Sequence, residues 1–313
     1  MAFDFSAVSA PFRMQPGLRR VPPGATQLSV NEIGSRALRE KLSVLSRWPE
    51  QALLCLPGFD ARPALQALVR HATAEQPQAL VWDGAHRFDA PLLGWSLLDD
   101  HARGRGPPEI GACLRHLPAE WRLPALLSLA FAEDFAIIDA RSGRIPWLAV
   151  CLPSHWAPED KVGRHFAEVH APVADNQLLL TAADHLARLV TGAAHWERFV
   201  WTVTPHDGLQ AHPRRCARPP WPAAADAATL AALACFRTER QTFIPVASHG
   251  QAIFTIRVEV SPLTQAIRSA ERARQLHAAL ASMSDAVLAY RGLVDARDRL
   301  LAWLQQQADR HVA

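Results

Sequence analysis

Cysteine is sparse and scattered. Five residues (Cys55, Cys113, Cys151, Cys216, Cys235) stand far apart, odd in number and without a Cys-x-x-Cys pair. That argues against a disulfide framework and against a thiolate-held zinc or iron–sulfur cluster, and it fits a reducing cytoplasm. Charge of either sign is balanced, 33 Lys and Arg against 30 Asp and Glu, with no cluster of five or six basic residues. A nucleic-acid partner is therefore not indicated. The apolar runs, such as Leu123 to Ala132 with Pro124 and Ser128 inside it, fall well short of the ~20 residues that cross a bilayer. Met-Ala-Phe-Asp-Phe at the start has no basic region followed by an apolar core, so no secretory leader is expected. No GxGxxG, Walker loop, GxSxG or HExxH occurs, which removes the usual parts of nucleotide-binding and hydrolase sites. Tyrosine occurs once, at Tyr290, against ten tryptophans. On its own that bias means bulky core and pocket walls.

What is present is a globular composition, 49% apolar and 20% charged over 313 residues, enough for one large domain or two ordinary ones. Residues 1–34, rich in Pro and Gly, read as an extended arm. Helices are expected over 35–55 and 61–71, and Gly84 to Pro118 reads as loop-rich, weakest at Gly104-Arg-Gly-Pro-Pro108. A soft boundary there gives an arm and helical layer (1–118), a core (119–263) and C-terminal helices (264–313). Within the core, a helix over 119–132 precedes strands Phe135 to Asp139 and Pro146 to Leu152, antiparallel about the turn Asp139 to Gly143. Helices follow at 158–168 and 176–192, then a strand from Trp196 to Val203 and a proline-rich loop from Thr204 to Asp226. Phe236 to Val246 and Ala252 to Val260 form the clearest strand pair, turning at Ala247-Ser-His-Gly250. Leu276, Leu280, Met283, Val287, Tyr290 and Val294 make one apolar helical stripe, broken only by Gly292. The order suggests an α+β fold, an antiparallel sheet crossed by helices.

The chemistry-bearing residues concentrate after the second strand. His170 ends the expected helix just where Pro172 turns the chain. It suits an iron ligand or, equally, a histidine capping a helix C-terminus. His155 and His165 are rivals on the same segment, His155 reading as a surface residue. Lys161 and Arg164, one helical turn apart, would bind carboxylates of a ligand or form a solvated face. Arg237, Glu239 and Arg257 lie on the two long strands. Facing a cavity, Glu239 would hold a cationic amine and the arginines would polarise dioxygen; facing water, they are cross-strand ion pairs. His206, His212 and Cys216 have only a loose metal-like spacing.

Six stretches in order, Pro11-Phe-Arg-Met14, Cys151-Leu-Pro-Ser154 with Trp156, Lys161-Val-Gly-Arg164, Val169-His-Ala-Pro-Val173, Arg237-Thr-Glu-Arg-Gln-Thr242 and Phe254-Thr-Ile-Arg257, resemble the haem-dependent oxidative N-demethylase alpha-subunit family. The resemblance implies a PAS-like antiparallel sheet flanked by helices, with haem b on His170 and with Lys161, Arg164 and Trp156 around it. It makes Arg237, Glu239 and Arg257 the pocket candidates. The implied activity is oxidation of a small secondary amine such as dimethylamine by dioxygen, giving a primary amine and formaldehyde. Electrons would come from NADPH through a partner reductase carrying FMN and an iron–sulfur cluster, and tetrahydrofolate would serve the wider complex. His155 and His165 depart from the family's pattern. The alternatives are a non-catalytic haem-binding PAS-like sensor and a haem-free relative that binds another small ligand.

Overall fold

A computed structural model describes residues 3–171 and 173–310, without the side chains of His170, Leu179 and Arg310. Its strands are Arg19–Arg20 (β1), Leu53–Cys55 (β2), Val81–Trp82 (β3), Arg87–Ala90 (β4), Trp95–Leu98 (β5), His101–Gly104 (β6), Asp134–Asp139 (β7), Arg144–Ala149 (β8), Trp196–Thr204 (β9), Cys235–Val246 (β10) and Gln251–Pro262 (β11). Seven of them form one sheet in the order β1-β9-β10-β11-β7-β8-β2, and β3 to β6 form a second, smaller one. Neighbours in both are antiparallel, so the fold is α+β as expected.

The two twelve-residue strands β10 and β11 pair along their whole length. Directly opposed residues of antiparallel strands share a face, so the register sorts the side chains. Arg237, Glu239, Gln241 and Phe243 of β10 lie level with Thr202, Val200, Arg198 and Trp196 of β9, and with Val260, Val258, Ile256 and Phe254 of β11. That is the first face. The second carries Arg240 and Thr242, level with Phe199 and Glu197 of β9 and with Arg257 and Thr255 of β11.

The apolar half of the first face is covered by the segment after β8. Ala136, Ile138, Leu148, Val150 and Phe243 pack with Val190, Phe166 and Val169. The largest core takes Ile244, Val246 and Ile253 from the second face and Ile256 and Val258 from the first, reaching helices Arg36–Arg47, Arg62–Glu75 and Ala119–Ala130. A third cluster gathers helices Ala270–Ala281, Asp285–Arg291 and Arg297–Arg310 around Trp201, Val203 and Phe236. Side-chain caps start several of these helices: Ser35, Asp226, Ser269 and Ser284 each accept from a backbone N–H one turn in. Two ion pairs are buried beneath them. Arg240 holds Glu197 at 2.8 Å. Lys41, with no exposed surface, holds Asp134 at 3.1 Å.

Several expectations are corrected. The stretch 84–118, read as loop-rich, holds β4, β5, β6 and helix Pro108–His116. Its strands are too short to show alternation, and its β5–β6 turn is made by Asp99 and Asp100, both left-handed at φ 47° and 63°. Gly106 marks close backbone approach: a Cβ there would lie 1.8 Å from the Leu93 carbonyl oxygen. The helix expected over 35–55 stops at Arg47, resumes over Pro49–Ala52 and gives way to β2 at the sheet edge. The helix expected over 158–168 is a single turn, Pro158–Asp160, followed by an irregular stretch and then helix Phe166–His170. That over 176–192 is split into Gln177–Thr181 and Ala183–Val190. Helix Ala227–Leu233 was unforeseen. The C-terminal stripe is not continuous, because Ser284 starts a new helix and Gly292, at φ 65°, ends it. Tyr290 and Val294 consequently face solvent, 47% and 60% exposed. Pro172 and the side chain of His170 lie outside the described residues.

Candidate functional site

β10 aims Arg237, Glu239 and Gln241 at the polar half of the first face. Gln241 Nε2 donates to Glu239 Oε2 at 2.6 Å, fixing the carboxylate. Arg198 stands level with Gln241 on β9, its Nε sealed from solvent without a partner. Burial lowers its pKa, and Glu239 is the charge that opposes this. Arg291 arrives from the end of helix Asp285–Arg291. Its guanidinium lies 4.6 Å over the Phe12 ring and 5.4 Å over Trp201, and it donates to the Trp201 carbonyl and, at 3.7 Å, to Met14 Sδ. Burial brings its pKa down to about 10, and Arg198 adds to the shift. The N-terminal arm thus helps to hold a side chain that is coupled to Glu239.

Arg237 plays a different part. Only 2% exposed, it donates to Ser154 Oγ at 2.8 Å and to the carbonyls of Gly208 (2.8 Å), Leu209 (2.6 Å) and Pro153 (3.3 Å). Its donors are spent tying the turn after β8 to the loop after β9. The same two segments bring His155 against His206, edge to face with ring centres 6.0 Å apart. His155 Nε2 and His206 Nδ1 are both sealed without a partner. Burial, then Arg218, Arg237 and His206, push the His155 pKa down to about 3, so it is neutral near pH 7. Arg218 closes this rim by donating to the Arg291 carbonyl.

The sequence-predicted residues fall into two sets. Arg237 and Glu239 come together; Arg257 does not. Level with Arg240, it occupies the opposite face and donates to Glu259 at 2.6 Å. Lys161 and Arg164 do not share a helix face: Lys161 turns inward to the Val169 carbonyl at 3.0 Å, while Arg164 is exposed. His165 is the N-cap of helix Phe166–His170, its Nδ1 accepting from Ala167 N at 3.2 Å, and its Nε2 lies 3.5 Å from Asp184. His155, expected at the surface, is half-buried with its Nε2 sealed. Trp156 packs between two apolar clusters. His212 pairs with Glu159 at 3.0 Å, and Cys216 accepts from Gln210 at 2.9 Å. The helix ending in His170 covers the apolar half of the same face through Phe166 and Val169.

Sequence reasoning missed Arg198 and Arg291 and weighed His206 only for its loose metal-like spacing. Arg198 was detectable in principle, since alternation along its strand puts it on the face of Glu239 once the register is known. Arg291 and His206 reach the site only through tertiary packing.

A family profile described as haem-dependent oxidative N-demethylase, alpha subunit-like, matches residues 117–301. The chain belongs to that family. The N-demethylase family description points to haem dependence and, as an alpha subunit, to further subunits. Among the described residues, no helix is long and apolar enough to cross a membrane. The first face fits haem chemically. Its apolar half, with Phe243 and Phe254 stacked at 4.9 Å, suits a macrocycle, and in its polar half Arg198 and Arg291 each hold a sealed, unpartnered Nε that a carboxylate could accept from.

Proposed function

We propose that the chain is a haem-dependent oxidative N-demethylase acting on a small secondary amine, with haem b bound at the first face of the large sheet beside helix Phe166–His170. The observation that carries this reading is the division of that face. An apolar wall lies under the His170 helix, continuous with a polar end where Glu239 sits among Arg198, Arg237 and Arg291. His170 would hold the iron, and Arg291 would meet a haem carboxylate. Bound haem supplies the activation of dioxygen needed to oxidise an N-methyl C–H bond. Glu239, oriented by Gln241, accepts the amine N–H and keeps the methyl group turned toward the apolar wall. His155, neutral and sealed beside His206, helps keep bulk water from that end.

In the net reaction the methyl C–H becomes C–OH, and the carbinolamine breaks its C–N bond to release primary amine and formaldehyde. The second oxygen atom leaves as water, using two electrons and two protons. The electrons come from NADPH through a flavin and iron–sulfur partner subunit, and tetrahydrofolate serves the assembled complex.

Protein purified after haem supplementation should show a Soret band, lost in His170→Ala and kept in His155→Ala and His165→Ala. With a surrogate reductase it should release formaldehyde from an N-methyl secondary amine. No Soret band refutes the haem reading; haem loading without turnover on any such amine favours a sensor.

A further inference from the structure

We propose that the amine oxidised by this chain carries a carboxylate, as a small N-methyl amino acid does, and that Arg198 is the group that receives it. This rests on the demethylase reading above and narrows its substrate.

The polar end of the first face holds more positive charge than its assigned ligands use. Arg198, Arg218, Arg237 and Arg291 surround it, and Glu239 is the carboxylate coupled to Arg198, Arg237 and Arg291. Three positive charges remain after Glu239. The two carboxylates of haem offset two of them, and one is left over. Arg237 binds loop carbonyls, and its charge is not cancelled by them. A bare dialkylammonium adds another cation to such a site. A zwitterion does not.

The arrangement of the acid and the base also matters. Arg198 and Glu239 feel each other's charge, yet among the described residues they do not close into an ion pair. Glu239 is turned to Gln241 instead, and Arg198 Nε is sealed with no hydrogen-bond acceptor. Elsewhere on the same sheet Arg240 and Glu197 do close, at 2.8 Å, so the open pair is not a general habit of this sheet. A sealed guanidinium N–H left without an acceptor is costly unless a ligand supplies one. One molecule bearing an amine and a carboxylate satisfies both partners: its nitrogen on Glu239, its carboxylate on Arg198.

The test is ligand ranking. Haem-loaded protein is titrated with N-methylglycine, dimethylamine and acetate, following the optical difference spectrum, and haem-free protein is titrated alongside by thermal shift. N-methylglycine should respond at a concentration at least tenfold below dimethylamine, with acetate weaker than N-methylglycine. In Arg198→Gln the N-methylglycine to dimethylamine ratio should fall at least tenfold. The parent ranking needs no variant, so a poorly folding Arg198→Gln does not rescue the proposal. A parent protein that binds dimethylamine as well as N-methylglycine overturns it while leaving the demethylase reading intact. The absence of any Soret band removes both.

Discussion

Replacing Arg237 by methionine separates a structural arginine from a ligand-contacting one. The side chain makes four charge-assisted hydrogen bonds, to Ser154 Oγ and to the carbonyls of Pro153, Gly208 and Leu209. Each such bond is worth ~1.5–3 kcal/mol taken alone. The four do not sum, because the carbonyls find water once the loops part, and the buried cation carries its own desolvation cost, visible in its lowered pKa. A net loss of ~3–5 kcal/mol is expected, a large share of the ~5–15 kcal/mol that holds a domain together. Arg237→Lys should recover little of it, since one ammonium cannot span both loops. The assay is denaturant unfolding followed by the ten tryptophans, with amide exchange read at His155 and Ala211. Those two N–H groups bridge the same loops, to the Ala211 carbonyl at 3.0 Å and the Pro153 carbonyl at 2.9 Å. Arg237→Met with unchanged midpoint and exchange but lost amine binding would refute this and make Arg237 a ligand contact.

Other outcomes follow from the same geometry. The pKa of His155 is pushed down to about 3 and that of His71 to about 4, both chiefly by burial. The unfolded chain binds these protons near pH 6.5 and the native one does not, so stability is full above about pH 6.5 and falls as pH drops toward 4. A pH series of unfolding midpoints should show this slope, flattened in His71→Asn. Glu197→Gln should cost ~3–5 kcal/mol by leaving buried Arg240 uncompensated, measured by denaturant midpoint with amine binding retained. His165→Ala should lose ~1 kcal/mol of helix capping. His165→Asn should keep both the cap and the haem content, whereas a drop in haem would identify His165 as the ligand.

The long strands were legible because alternation over nine to twelve residues leaves little ambiguity. The β7–β8 pair was legible through its turn. β4 to β6 were not: four-residue strands joined by an Asp-Asp turn carry neither a period nor a glycine signal. At the site, composition and strand position brought out Arg237 and Glu239, but only the register could separate them from Arg257. Lys161 and Arg164 were given a shared helical face that the chain does not form, because Gly163, at φ 75°, bends the segment before helix Phe166–His170 begins. Arg291 lies 52 residues after Glu239 in sequence and meets it only once the C-terminal helices have packed.

β10 carries Arg237 and Glu239 on one side and Arg240 on the other, and both depend on one alignment. A slip of one residue against β9 would turn Thr238, Arg240 and Thr242 toward the His170 helix. It would also leave Glu197 with Arg19 alone and take Arg240 away from it. No misaligned pairing of this strand is therefore silent. The Glu239 end of the first face and the ion pair behind it act as mutual proofs of frame, which lets so polar a strand run through the middle of a sheet.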